Sequence, residues 1–274
     1  MVRRNVVDMD RSSSRERTFT VVSCHFGDPF WITRLASELK RLTPDEIDVR
    51  LIVVDQDRGP TDSALLASLP GYPSVTQYPR AHDEIELLGH DHPSSLNRAL
   101  RESFSTSHVV VMDSDSSPIT SDWIAKVNSV LDGSDAIVAA DYRLHGTSHP
   151  CFMVLPSEVC HRLDFAEGLR EVELDTGRLI GLQLTRLGLR VHFAHRARAF
   201  GGYRGETYLD GRIYHHGQGS FQSSPHRQHR ADVAHDPDQF FRRKLIEGSL
   251  VLTRTERLTL LLNSLKRRIL RSRG

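Results

Sequence analysis

Residues 108–116 read HVVVMDSDS, a short apolar run followed at once by two aspartates. A continuous β-branched run of this length is typical of a strand that is buried on both faces of a parallel sheet. Ligands of such sheets bind where the strands end. Because unpaired carboxylates are costly to bury, Asp113 and Asp115 favour a divalent cation at that edge. The alternative is a solvated turn, in which Asp and Ser are also common.

Strand and helix patterns alternate on both sides of this segment. Strands are predicted at residues 18–23, 49–54, 74–78, 108–112, 136–140 and 151–155. Helices are predicted at residues 29–42, 62–69 and 93–104. A further helix would begin at Ser121 or Asp122 and carry Ile124, Val127 and Leu131 on one face, and another would follow Asp175 and end at Gly188. This alternation predicts an α/β fold with a mostly parallel central sheet flanked by helices. The Gly- and His-rich residues 194–235 are predicted to form loops, and 237–272 a C-terminal helical region.

Composition excludes several classes of protein. The chain has 274 residues, and its hydrophobic share of 38% is sufficient for a sizeable core, which excludes a disordered chain. Lys and Arg number 36 against 35 for Asp and Glu, so a nucleic-acid partner is not expected. The three cysteines, Cys24, Cys151 and Cys160, form no disulfide framework, which favours a reducing compartment. With no signal peptide or membrane span in the sequence, we expect a soluble, cytoplasmic protein.

The order of these motifs resembles the nucleotide-binding half of GT-A glycosyltransferases, most closely the family 2 group. The resemblance covers roughly residues 18–220, and the features that carry it are a first strand ending near Ser23, a second ending in Val53-Val54-Asp55, a helix with Ser95-Leu96-Asn97-Arg98-Ala99, and the DxD motif itself. It implies a Rossmann-like GT-A sheet and Mn²⁺ or Mg²⁺ as cofactor. It also implies inverting transfer of one sugar from a nucleotide-diphosphate sugar to an acceptor hydroxyl. Family 2 polymer synthases carry a QxxRW motif that is absent here, so a non-processive enzyme is the better match.

The resemblance assigns residues to the donor. Asp113 and Asp115 would bind the metal or the ribose, and the acidic end of the second strand would contact the nucleobase. The sequence reads DQDRG at residues 55–59 where the family has Asp-Asp-x-Ser, which leaves Asp55 and Asp57 as alternatives. Further donor-binding candidates are Ser23, Asn97, Arg98 and Ser114. The guanidinium of Arg98 suits a bidentate contact with the diphosphate. Alternatively, Arg98 lies on a helix face that is exposed to solvent and has no contact with the donor.

The same resemblance implies a catalytic base and a further metal ligand in two other parts of the sequence. Glu173-Leu174-Asp175 resembles the family's acidic pair in front of a helix, which makes Asp175 the first candidate for the catalytic base and Glu173 the second. The alternative for Asp175 is a helix N-cap. A late histidine, His215 or His216, would be a third metal ligand. The other histidine pairs, His145/His149 among them, have no Cys partner and are interpreted as loop residues.

We expect three regions in the chain: a disordered segment (1–17), a GT-A domain (18–235, with a nucleotide-sugar half at 18–116 and an acceptor half at 117–235) and a C-terminal helical extension (236–274). The extension ends in Lys266, Arg267, Arg268, Arg271 and Arg273. It would either pack on the domain or lie peripherally on the inner membrane face. A UDP-sugar is the favoured donor, and the acceptor would be a polysaccharide, glycolipid or natural product. The alternatives are a non-catalytic nucleotide-sugar-binding scaffold and a nucleotidyltransferase.

Overall fold

A computed structural model describes residues 17–25, 29–55, 74–77, 91–141, 146–168, 176–199 and 205–217 of the chain. The strands are β1 Phe19–His25, β2 Val49–Asp55, β3 Ser74–Gln77, β4 His108–Met112, β5 Ser116–Pro118, β6 Ala136–Ala140, β7 Ser148–Pro156, β8 Val191–Ala194, β9 Arg198–Ala199, β10 Glu206–Tyr208 and β11 Ile213–His215. The helices are α1 Pro29–Leu42, α2 Asp91–Ala99, α3 Trp123–Leu131 and α4 Ile180–Arg186, with a 3₁₀ helix at Ser157–Arg162. The predicted helix at 62–69 and the region 236–274 lie outside the described residues.

The seven-stranded main sheet has the order β3-β2-β1-β4-β7-β6-β8. Four of its six pairings are parallel, namely β1 with β2, β1 with β4, β2 with β3 and β6 with β8. Strand β7 is antiparallel to both β4 and β6. The prediction of an α/β fold with a mostly parallel central sheet is therefore confirmed.

Helices cover both faces of this sheet. Alternate residues of β1 face opposite sides, so Val21 packs in a cluster with Leu35 of α1 and Val127 of α3. Val22 packs in the other cluster with Leu96 of α2 and Leu184 of α4. Because β4 is buried on both sides, it reads in the sequence as a continuous apolar run after His108.

A second, four-stranded sheet has the order β5-β11-β10-β9, and all of its pairings are antiparallel. The prediction that residues 194–235 form only loops is therefore wrong over β9, β10 and β11. These strands are two or three residues long, which is too short for a periodic pattern to be visible. The turn between β10 and β11 has positive φ at Leu209, Asp210 and Gly211.

Two expectations about covalent and membrane features can be compared with the described residues. Cys24, Cys151 and Cys160 are free, in line with the prediction that they form no disulfide framework, and all three are buried. In the described parts of the chain, no helix combines the length and the apolar character needed to cross a lipid bilayer.

Candidate metal centre

The aspartate motif forms the turn between the main sheet and the small sheet. The Ser116 N–H donates a hydrogen bond to the Asp113 carbonyl (2.9 Å), which closes the turn after β4. Strand β5 begins at Ser116 and pairs with β11, so that Ser116 lies opposite His215. The next residue, His216, donates its backbone N–H to the Asp115 carbonyl (3.0 Å). This register brings the end of β11 against the aspartates, although the two segments are about a hundred residues apart in sequence.

Asp113, Asp115 and His215, which we call the aspartate site, have ligand atoms within 4.8 Å of one another. His215 Nε2 lies 3.5 Å from Asp115 Oδ1 and 3.7 Å from Asp113 Oδ2. His92 Nε2 lies 3.6 Å from the other Asp113 oxygen, Oδ1, which is buried and accepts no hydrogen bond from the described residues. Two carboxylates and one imidazole are a donor set that suits Mn²⁺, and the carboxylates alone suit Mg²⁺. The residues therefore fit a divalent cation.

Glu206 lies at the other nitrogen of His215. The two residues are paired between β10 and β11, and Glu206 Oε1 is 3.5 Å from His215 Nδ1. The Tyr208 hydroxyl donates to the same oxygen (2.6 Å), and Arg196 lies 3.4 Å from Oε2. Burial by itself would raise the pKa of Glu206, but the interaction with the His215 ring and the hydrogen bond from Tyr208 outweigh it and lower the pKa to about 2. Glu206 is therefore a carboxylate that stays ionised beside the histidine.

His149 and Cys151 lie on the neighbouring strand β7, at alternate positions of one face. With His215 they form a second group of ligand atoms within 4.8 Å of one another, which we call the thiol site. The rings of His149 and His215 have centroids 5.1 Å apart. Burial raises the pKa of the Cys151 thiol, but the charges of His215 and His149 outweigh it, and the pKa is lowered overall. The interpretation of His149 as a loop residue without a Cys partner is therefore wrong, because it lies on β7 beside Cys151.

The electrostatics of His215 follow from these neighbours. Its burial disfavours the charged ring, but the negative charges of Cys151 and Asp115 and the nearby carboxylate of Glu206 outweigh that cost. The pKa of His215 is consequently raised well above its usual value. A cation at either site would have to displace the proton that this environment stabilises.

His216 has different neighbours from His215. Its ring stacks on Trp31 with centroids 4.3 Å apart, and its Nδ1 lies 2.9 Å from the Tyr214 hydroxyl. Among the described residues, neither group of candidate ligand atoms contains His216. The structure therefore brings only the first of the two candidate histidines to the aspartates.

The residues predicted to bind the donor or to act as the base differ in their surroundings. Ser23 and Ser114 are buried, and Ser23 Oγ has no hydrogen-bond partner among the described residues. Asn97 uses both ends of its amide within the protein, since Nδ2 donates to Asp164 Oδ1 and Oδ1 accepts the Phe165 N–H (both 2.8 Å). Arg98 is exposed on α2. The backbone of Asp55 ends β2, whereas Asp57, Glu173 and Asp175 lie outside the described residues.

Sequence reasoning missed three members of this centre: Glu206, His149 and Cys151. A signal existed for the last two, because a His-x-Cys spacing on a strand places both side chains on one face. No comparable signal marks Glu206, because its position opposite His215 depends on a hairpin of very short strands.

Comparisons with protein-family models and with curated proteins found no match. Solved structures similar to the chain include residues 1–349 of TarS from S. aureus, at 16% identity and a TM-score of 0.47 over 64% of this chain and 57% of that one. A second is the mannosyltransferase PcManGT from Pyrobaculum calidifontis in complex with GDP-Man and Mn²⁺, at 17% identity and a TM-score of 0.47 over 66% and 55%. A third is the galactosyltransferase LgtC with donor and acceptor sugar analogues, at 12% identity and a TM-score of 0.46 over 64% and 73%. The chain thus spans little more than half the length of the first two, and likeness at this level assigns no activity to it.

Proposed function

We propose that the chain is a metal-dependent, inverting glycosyltransferase that moves one sugar from a nucleotide-diphosphate sugar to an acceptor hydroxyl. One observation carries the proposal: Asp113, Asp115 and His215 converge at the carboxyl end of β4. Ligands of α/β sheets bind at that edge, and a nucleoside diphosphate needs a cation there. The order of strands, helix and DxD motif, which resembles GT-A enzymes, supports the same function.

Asp113, Asp115 and His215 would hold Mn²⁺ or Mg²⁺, with phosphate oxygens and water as the remaining ligands. The cation, when bound, supplies positive charge that stabilises the departing nucleoside diphosphate. His92, which faces Asp113 Oδ1, would help to orient that carboxylate. Residues 18–116 would form the donor half, with Ser23, Ser114, Arg98 and Asp55 or Asp57 as contacts.

The acceptor half, residues 117–235, would supply the base. In an inverting transfer one carboxylate takes the proton of the acceptor hydroxyl as that oxygen attacks the anomeric carbon. We assign this role to Asp175, with Glu173 as the alternative, on the resemblance to the family's acidic pair. Fixing donor and acceptor in one site also makes the attack effectively unimolecular.

The first test measures donor binding. The thermal stability of the full chain is recorded with UDP, GDP, dTDP and CDP, each with and without Mn²⁺. A ligand that binds only the folded state at a hundredfold excess over its Kd adds about 2.7 kcal/mol to the free energy of unfolding. We expect a metal-dependent shift with one nucleotide, UDP being favoured, that Asp115→Ala abolishes. Asp132→Ala is the matched control, because Asp132 is 72% exposed and lies outside the aspartate site.

A second test measures turnover in the presence of the donor that the first test identifies. Asp175→Asn should leave nucleotide binding intact and abolish transfer, and full activity of this variant would contradict the assignment of the base. Binding without transfer or donor hydrolysis, over a broad panel of acceptors, would instead favour a non-catalytic scaffold. Release of pyrophosphate from a nucleoside triphosphate and a sugar phosphate would favour a nucleotidyltransferase.

A further inference from the structure

A thiol and two imidazoles converge beside the aspartate site. We propose that the thiol site, formed by His149, Cys151 and His215, binds a soft divalent cation of the zinc class and shares His215 with the aspartate site. Thiolate and imidazole are the ligands that zinc prefers, whereas Mg²⁺ and Mn²⁺ prefer carboxylate oxygens. The inference goes beyond the proposed function and does not depend on it, because two of the three ligands, His149 and Cys151, have no role in the proposed transfer.

The geometry is close to that of a three-ligand zinc site. With Zn–N of about 2.0–2.1 Å and Zn–S of about 2.3 Å, tetrahedral ligands lie roughly 3.3–3.7 Å apart. The three ligand atoms here are all within 4.8 Å of one another before any cation is bound. Two histidines on one tetrahedral zinc have ring centroids roughly 5 Å apart by the same bond lengths, and those of His149 and His215 are 5.1 Å apart. Small side-chain movements are therefore sufficient to close the site.

All three ligands lie on strands and differ in their exposure. Cys151 and His215 are almost fully buried in β7 and β11, whereas His149 is half-buried. The Cys151 N–H donates to His149 Nδ1 (3.2 Å), which holds the ring beside the thiol. A cation at Nδ1 replaces this hydrogen bond, and a cation at Nε2 moves the ring proton to Nδ1 and ends it. In both cases one long hydrogen bond is exchanged for a metal bond.

Sharing of His215 makes the two sites antagonistic. A neutral imidazole has a single free lone pair, so His215 can ligate one cation at a time. Zinc at the thiol site would therefore remove the third protein ligand from the aspartate site. Zinc bound at the thiol site would therefore weaken the binding of a cation by Asp113 and Asp115.

The first experiment tests the site itself with the metal-free full chain and Co²⁺ or Zn²⁺ alone. We expect one equivalent of Co²⁺ to give the charge-transfer absorption of a cobalt–thiolate bond, and X-ray absorption to give one Zn–S distance of about 2.3 Å. Cys151→Ala should abolish the cobalt–thiolate band, and the half-buried His149→Gln should weaken Co²⁺ binding at least tenfold. Cys24→Ala and Cys160→Ala are matched controls that should retain the band. Absence of the band from the folded wild-type protein, or its persistence in Cys151→Ala, would overturn the proposal.

The second experiment tests the shared ligand. Mn²⁺ binding is followed by electron paramagnetic resonance with and without one equivalent of Zn²⁺. We expect zinc to weaken Mn²⁺ binding at least about tenfold, and Cys151→Ala to remove that effect. An unchanged Mn²⁺ affinity in the zinc-loaded protein would overturn the sharing of His215. Neither readout of the thiol site uses a nucleotide or an acceptor, so the absence of transferase activity would leave this test intact.

Discussion

Glu206 Oε1 lies 3.5 Å from Nδ1 of His215, while Nε2 of the same ring faces Asp113 and Asp115. Once a cation has displaced the Nε2 proton, a carboxylate in this position would hold the remaining ring proton on Nδ1. The hydroxyl of Tyr208 holds the carboxylate in turn. We therefore expect Glu206 to act as a positioning residue, which affects the aspartate site through the histidine.

Glu206→Gln should weaken Mn²⁺ binding about tenfold, because outer carboxylate partners of ligating histidines contribute roughly 10–100-fold to metal affinity. The measurement is a Mn²⁺ titration of the metal-free protein followed by electron paramagnetic resonance. Glu167→Gln removes a carboxylate that pairs with the exposed Arg186 instead, and it should leave the affinity unchanged. Equal affinities in the two variants would show that Glu206 does not orient the ring.

Loss of one partner of the buried ion pair between Asp141 and Arg178, near the end of β6, should destabilise the protein strongly. The two side chains are only 2% and 9% exposed. Removing one charge leaves the other buried and unpaired, so Asp141→Asn should lower the free energy of unfolding by about 3–5 kcal/mol. The pair of Arg17 with the exposed Asp132 provides the comparison, and Asp132→Asn should cost less than about 1 kcal/mol. Urea unfolding of both variants measures the difference, and similar losses would contradict the prediction.

His108 should make the protein less stable in mild acid. Burial, with a smaller contribution from the charge of Arg17, lowers the pKa of His108 from 6.5 to about 4. The unfolded chain therefore takes up this proton near pH 6.5 and the folded protein only near pH 4. Stability is complete above pH 6.5 and is lost as the pH falls toward 4, by roughly 2 kcal/mol for a ring that is partly exposed.

The measurement is urea unfolding between pH 7 and 4. His108→Gln should remove roughly 2 kcal/mol of the pH dependence, whereas a substitution of the exposed His161 by Gln should not. If the curve of His108→Gln fell as steeply as that of the wild type, other groups would be responsible for the acid sensitivity.

Gly205 should tolerate no side chain. Its φ is +103°, and an added Cβ would lie 2.8 Å from the hydroxyl oxygen of Tyr214, which contacts His216. Gly205→Ala should therefore lower the free energy of unfolding by about 1–3 kcal/mol. At Gly133, by contrast, an added Cβ meets only the Val130 carbonyl oxygen, at 3.7 Å, so Gly133→Ala should have little effect. Thermal unfolding of both variants is the test, and an unchanged Gly205→Ala protein would contradict this account.

The sequence was sufficient to locate secondary-structure elements that are long or buried on both faces. The strands at His108–Met112 and Ala136–Ala140 and the helix at Pro29–Leu42 have the predicted bounds. The aspartate pair could be placed because it follows such a strand directly. Contacts between segments that are distant in the chain leave no comparable pattern in the sequence. Asn97 could not be recognised as the residue that holds Asp164 and Phe165, because that role depends on residues more than sixty positions away.

The pairing of β5 with β11 has a consequence for the two adjacent histidines. In a strand, a shift of the pairing by one residue exchanges the faces on which all side chains lie. Such a shift would bring His216 to the aspartates and turn His215 toward Trp31, the present stacking partner of His216. The length of the turn from Leu209 to Arg212 fixes this register, with Leu209, Asp210 and Gly211 all at positive φ. Deletion of a single residue from this turn, without any change to a ligand, would thus exchange one imidazole for the other beside the carboxylates.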